Sequence, residues 1–133
     1  MPETGAEMPA FPWDQKVEID PSATYVAMAS RLPLLHHRSV PGFLRDAMAI
    51  RRQLRRANGL IGFALDAELR KKTFWTFSVW ETREDLDGFA RSDPHHRIIS
   101  RLRPVMGQSR FEFFSLAGER LPMTPEQMKE PVR

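Results

Sequence analysis

Two runs of β-forming residues, Leu60–Leu69 and Thr73–Glu81, are separated only by Arg70-Lys71-Lys72. So short a spacer makes two strands fold back on each other, and the segment predicts an antiparallel hairpin. Neighbouring segments then fall into place around it. Upstream, Thr24–Leu35 is another run rich in apolar and β-forming residues and predicts a first strand. From Pro41 to about Arg56, the residues Phe43, Ala47, Ile50 and Leu54 recur at helical spacing, and Asn58-Gly59 supplies a left-handed stop. Downstream, Thr82 with Asp85 three residues later resembles a capping box that opens a helix to about Arg91. Ser92-Asp93-Pro94 interrupts and restarts that helix, with Ser92 or Asp93 as N-cap. Ile98, Ile99, Leu102, Val105 and Met106 give the second segment its apolar side, and Arg110–Leu116 is a last strand. The order β-α-β-β-α-α-β is that of an α+β, ferredoxin-like βαββαβ domain with an antiparallel sheet, spanning residues 23–117.

The two ends read differently. Residues 1–22 carry Pro2, Pro9, Pro12 and Pro21 without periodicity, which predicts an extended or partly disordered arm. Residues 118–133 form a second Pro-containing arm, in which Thr124-Pro125-Glu126-Gln127 has the form of a short helix start. A length of 133 residues suits one domain, and the absence of cysteine excludes disulfides, iron–sulfur clusters and thiolate metal sites. With neither a signal-like start nor an apolar run of membrane-spanning length, the expectation is a cytoplasmic protein with no membrane partner. The net charge of +3 is mild, and its one concentration is Arg51, Arg52, Arg55 and Arg56 in the last turns of the first helix. Cations there complement the helix dipole, and no aromatics are interleaved with them, so a solvated face is expected and no nucleic-acid partner.

Strand residues alternate between faces. Ile61, Phe63, Leu65 and Ala67 share one side of their strand, and Gly62, Ala64 and Asp66 the other. In the next strand Trp75, Phe77 and Val79 oppose Phe74, Thr76, Ser78 and Trp80, and in the last strand Glu112, Phe114 and Leu116 oppose Phe111 and Phe113. One sheet face is plainly apolar and should meet the two helices. The other, read as Gly62, Ala64, Asp66, Phe74, Thr76, Ser78, Trp80 and Phe114, mixes aromatic with small residues. It is expected to pack on a second copy around a small cavity, with cover by the Pro-rich arms as the alternative.

The stretch Phe74-Trp75-Thr76-Phe77-Ser78-Val79-Trp80-Glu81, followed by Leu86, Phe89 and Ser92-Asp93-Pro94-His95-His96, resembles antibiotic-biosynthesis-monooxygenase-like proteins. Val40–Asn58, ending Arg-Arg-Ala-Asn-Gly, looks like a neighbouring branch that also resembles the spheroidene-monooxygenase-like group. The resemblance implies a dimeric α/β barrel and a superfamily of cofactor-independent oxygenases, haem-degrading or haem-binding enzymes, isomerases and proteins without known reaction. It implies a monooxygenase-like oxidoreductase taking a flat hydrophobic substrate in the barrel cavity. The alternative is a non-catalytic homodimer binding a small ligand or haem.

Within that frame Trp80 is a candidate wall for stacking on a flat ring, or filler of the dimer core. His36 and His37 follow the first strand, which is taken as parallel to the strand ending in Trp80, so both pairs are expected at one edge. His36, His37 or His95 is then a general base, or the axial ligand if haem binds. Adjacent histidines point in different directions, so at most one of each pair enters a site; a surface position for His95-His96 is the simpler reading. Four histidines without acidic ligands give no metal site. Phe74, Thr76, Ser78, Gly62, Ala64, Asp66 and Phe114 complete the expected substrate wall, and no cofactor motif is encoded.

Overall fold

The computed structural model describes residues 7–133; the first six residues of the N-terminal arm lie outside the described residues. Five strands form one sheet: β1 (Glu7–Gln15), β2 (Thr24–Pro33), β3 (Leu60–Glu68), β4 (Thr73–Trp80) and β5 (Arg110–Ala117), in the spatial order β1-β3-β4-β2-β5. Helices α1 (Val40–Leu54), α2 (Arg83–Arg91) and α3 (His95–Leu102) pack on one face, and α4 (Pro125–Lys129) follows the last strand. The α+β ferredoxin-like arrangement is therefore present, with one strand more than the sequence pattern indicated.

Local chemistry sets the boundaries. Gly59, at φ +79°, ends the α1–β3 connection, and the Asp85 carboxylate lies where a Cβ would be. The Thr82 hydroxyl accepts from the Asp85 N–H at 3.1 Å and so caps α2. Thr124 and Gln127 form a complete capping box on α4.

Three expectations change. First, β2 and β4 are antiparallel, with Val26 opposite Trp80 and Pro33 opposite Thr73. Crossing over through α1 makes β3 run with β2, and the hairpin then reverses β4. Trp80 thus lies at the start of β2, and His36 and His37 lie beyond its other end. Second, the hairpin register puts Phe63 opposite Ser78, Leu65 opposite Thr76 and Ala67 opposite Phe74. Residues of opposite parity therefore share a face, because four residues separate the opposed pair Glu68 and Thr73. Phe74, Thr76, Ser78 and Trp80 face the helices, whereas Gly62, Ala64 and Asp66 share the outer face with Trp75, Phe77, Val79 and Phe114. Third, that outer face is covered within the chain. Met128 and Val132 are buried in its core, Trp13 of β1, Leu121 and Met123 pack against it, and Phe77 and Val79 are left almost fully enclosed. The mixed face that called for a second copy was a product of the mistaken register, and the two Pro-containing arms supply the cover.

The N-terminal arm is a sheet strand along Glu7–Gln15, paired antiparallel with β3 and bulged around Phe11. Gly62 permits this close approach: a Cβ there would sit 2.5 Å from the Trp13 ring. Among the described residues no helix is long and apolar enough to cross a membrane.

Candidate functional site

Between the helices and the inner sheet face lies a cavity of about 120 Å³. Its sheet wall includes Met28, Ser30, Phe63, Thr76 and Ser78; α1 contributes Ile50, Arg51 and Leu54, and the α2–α3 region Phe89, His95 and Ile98. The period of α1 explains its part, since Phe43, Ala47, Ile50 and Leu54 recur on the side turned to the sheet. Hydroxyls supply the polarity of the floor. Ser30 and Thr76 hydrogen-bond one another across β2 and β4, and the Trp80 indole N–H donates to Ser78 Oγ at 2.9 Å.

His95 is the ionisable group of most chemical interest on this wall. Its Nδ1 lies 3.1 Å from the Ala90 carbonyl oxygen, which can only accept, so Nδ1 carries the proton. In the neutral ring, Nε2 then holds the lone pair. Burial lowers the pKa of His95 from 6.5, against a raising effect of the Ala90 carbonyl and with a smaller lowering by His96, so the neutral base is favoured near pH 7. The ring leans on Phe89, with centroids 4.9 Å apart, and Phe89 in turn on Trp80 at 5.3 Å.

Gln53, which the sequence pattern gave no reason to single out, holds this histidine in place. Its Oε1 accepts from the His95 backbone N–H at 2.9 Å, and its Nε2 donates to the carbonyls of Phe89 and Ser92, both at 3.3 Å. One amide on α1 thereby fastens the α2–α3 junction. Its signal in sequence is faint: a lone amide in an Arg-rich helix end. Arg51 was read as part of a solvated face, yet it lines the cavity. Its guanidinium reaches Asp14 of β1 at 3.5 Å and lies 5.1 Å from the Phe11 ring centre.

The expected site residues therefore disperse. Thr76, Ser78 and His95 meet at the inner cavity, and Ala64 borders it while packing in the outer cluster. Trp80 is fully buried behind Ser78 and Phe89, and Phe74 is equally buried, stacked 4.0 Å from Phe43; neither lines the cavity. Gly62, Asp66 and Phe114 lie on the other sheet face. Asp66 pairs there with Lys129 of α4 at 2.5 Å, which answers how that carboxylate is satisfied. His36 and His37 are exposed, and His37 Nε2 lies 3.2 Å from the Arg70 carbonyl, at the hairpin end of the sheet. No cluster of three or more His, Asp or Glu side chains among the described residues is arranged to hold a metal ion.

Comparison with known proteins finds no matching family description and no matching curated protein. Solved structures do match. SnoaB, a cofactor-independent oxygenase from Streptomyces nogalater (solved as a mutant), superposes with a TM-score of 0.61 at 18% identity, over 76% of this chain and 100% of that one. LmHde, a haem-degrading enzyme from Listeria monocytogenes, gives 0.58 at 15% identity, over 72% of this chain and 64% of its own. A ferredoxin-fold protein related to antibiotic biosynthesis monooxygenases, from Listeria monocytogenes 4b, gives 0.53 at 14% identity, over 67% and 54%. This chain thus spans less than two thirds of the length of those two Listeria proteins.

The haem-degrading neighbour makes haem the cofactor to test for fit. His95 Nε2 is a suitable iron ligand, but about 120 Å³ is well below the several hundred expected for a ligand larger than most drugs. The inner cavity as arranged does not enclose a haem. At these identities the likeness is one of fold: the chain has the ferredoxin-like fold shared by antibiotic-biosynthesis-monooxygenase-like proteins.

Proposed function

We propose that the chain is a monooxygenase-like enzyme acting on a small, electron-rich aromatic substrate in the cavity between the helices and the inner sheet face. The observation that carries this reading is the fixed tautomer of His95 on the wall of a largely apolar cavity. A neutral imidazole with Nδ1 engaged and Nε2 basic suits removal of a phenolic proton near neutral pH. The resulting phenolate is electron-rich enough to react with oxygen. Attack of its ring carbon on O₂ forms a hydroperoxide, and loss of water leaves a quinone. One oxygen atom enters the product, the other leaves as water, and the substrate supplies the electrons. The similarity to a cofactor-independent oxygenase supports the same chemistry.

Size narrows the substrate class. About 120 Å³ is the scale of one aromatic ring, since a cavity of roughly 150 Å³ accepts benzene. A monocyclic phenol or hydroquinone is a narrower class than the flat hydrophobic substrate that the resemblance implies.

Oxygen consumption with monocyclic hydroquinones is the direct test, comparing the intact protein with His95→Ala and with His36→Ala/His37→Ala. The expected result is a rate above the spontaneous reaction that falls about 100-fold or more in His95→Ala and is unchanged in the double variant. Enzyme-independent oxidation in all three, with ligand still bound, would leave a non-catalytic small-ligand protein.

A further inference from the structure

Arg51 carries a feature that its place in the sequence does not suggest. Its Nε is buried and has no hydrogen-bond partner among the described residues. One terminal nitrogen lies 3.5 Å from Asp14 Oδ2, which Arg55 also holds at 2.6 Å, and the guanidinium carbon lies 5.1 Å from the Phe11 ring centre. Both partners come from β1, so that added edge strand holds Arg51 at the cavity wall. A buried N–H without an acceptor is costly, and native structures seldom leave one so. Neither of the two other ionisable side chains at the inner cavity accepts from it: Asp46 turns to Arg101 at 2.5 Å, and His95 is tied through Nδ1 to Ala90 and through its backbone N–H to Gln53. A bound molecule can.

We infer that Arg51 is the specificity-determining donor of this cavity, its Nε–H taking the ionised oxygen of a single-ring phenol or enol. The inference rests on the functional reading above and deepens it, by adding to the base a cation that stabilises what the base produces. Removing a phenolic proton leaves negative charge on oxygen, and a guanidinium N–H stabilises that charge more than it does the neutral phenol. It selects rings bearing an acidic hydroxyl over rings of equal shape without one. Asp14 is shared with Arg55, which it meets at 2.6 Å against 3.5 Å for Arg51, so the pair of arginines keeps a net positive charge beside the cavity.

Binding tests this without turnover. The intact protein is titrated with 4-nitrophenol, whose absorbance reports its ionisation, and with toluene as a ring without oxygen, for the natural sequence, Arg51→Met and Arg51→Lys. The expected result is that bound 4-nitrophenol ionises at lower pH than free. Arg51→Met should weaken its binding by about tenfold to a hundredfold, while toluene binding changes little. Arg51→Lys retains a cation for Asp14 but lacks Nε–H, so it should lose most of the same preference even if Arg51→Met fails to fold. An equal loss for both ligands in the variants, or no loss for either, overturns the inference, as does an intact protein that binds neither. An Arg51-dependent preference for the phenolate without oxygen consumption would instead sink the oxygenase reading and leave this one standing.

Discussion

At the scale of single residues, His95 shows how little of a site is written in residue identity. The sequence offered four histidines in two adjacent pairs, and nothing in it separated the exposed His36 and His37 from His95. What separates them is the Gln53 amide and the Ala90 carbonyl, contacts made 42 and 5 residues away. A pH dependence follows. The folded pKa of His95 is depressed by burial below the 6.5 of the free side chain. The neutral form is therefore the one that the fold favours. Its contribution to stability is fully present above pH 6.5 and is lost as pH falls through the lower, folded value. Ring titration by NMR should give a His95 midpoint below 6.5. Replacing Gln53 with Met removes three hydrogen bonds, lets water nearer the ring, and should move that midpoint upward. The same variant should lose about 1–3 kcal/mol in denaturant unfolding. An unmoved midpoint would show that Gln53 does not hold the histidine.

At the scale of elements, the periodic segments were legible and the pairing between them was not. Hairpin, helices and capping residues all follow from local chemistry, so Thr82, Gly59 and Thr124 mark the boundaries they suggested. Alternation also sorts each strand into two sets. It does not say which set of one strand meets which set of the next, because that depends on the register fixed by the turn. The Leu69–Lys71 turn, closed by Lys72 at φ 55°, decided it, and half of the expected substrate wall moved to the other side of the sheet. Asp66 is the clearest case. It is a fastening for α4 rather than a ligand contact: its carboxylate meets Lys129, whose side chain is only 5% exposed and lies 5.3 Å from the Trp75 ring centre. Removing Asp66 takes from this nearly buried cation one of its charge partners. Asp66→Ala should cost about 3 kcal/mol, the lower end for a buried pair because the Trp75 contact persists. Asp66→Leu combined with Lys129→Met should cost clearly less than Asp66→Ala alone. Unfolding midpoints of the variants decide the matter; equal losses would mean that the ion pair is not what ties α4 down.

For the whole molecule, the question is what closes the outer face of the sheet. An antiparallel sheet with helices on one side leaves a broad apolar surface on the other, and the sequence argument assigned that surface to a second copy. The structure closes it from within: β1 brings Trp13 from one side, and the segment after β5 brings Leu121, Met123, Met128 and Val132. Met128 and Val132 are almost completely enclosed, and burial of a side chain of that size contributes about 1.5–3 kcal/mol. The C-terminal thirteen residues should therefore be a structural lid rather than a tail. A chain ending at Arg120 would uncover Tyr25, Ala27, Phe77 and Val79, a contiguous apolar surface of the kind that drives association. Such a chain should unfold several kcal/mol more easily and should sediment with a stronger dependence on concentration than the intact chain. The inner cavity lies on the opposite side of the sheet, so ligand binding measured well below the unfolding transition should survive the truncation. If the intact chain associates as strongly as the shortened one, its interface lies elsewhere than on this face. If the shortened chain is as stable as the intact one, the packing of the C-terminal segment contributes nothing and the lid assignment is wrong.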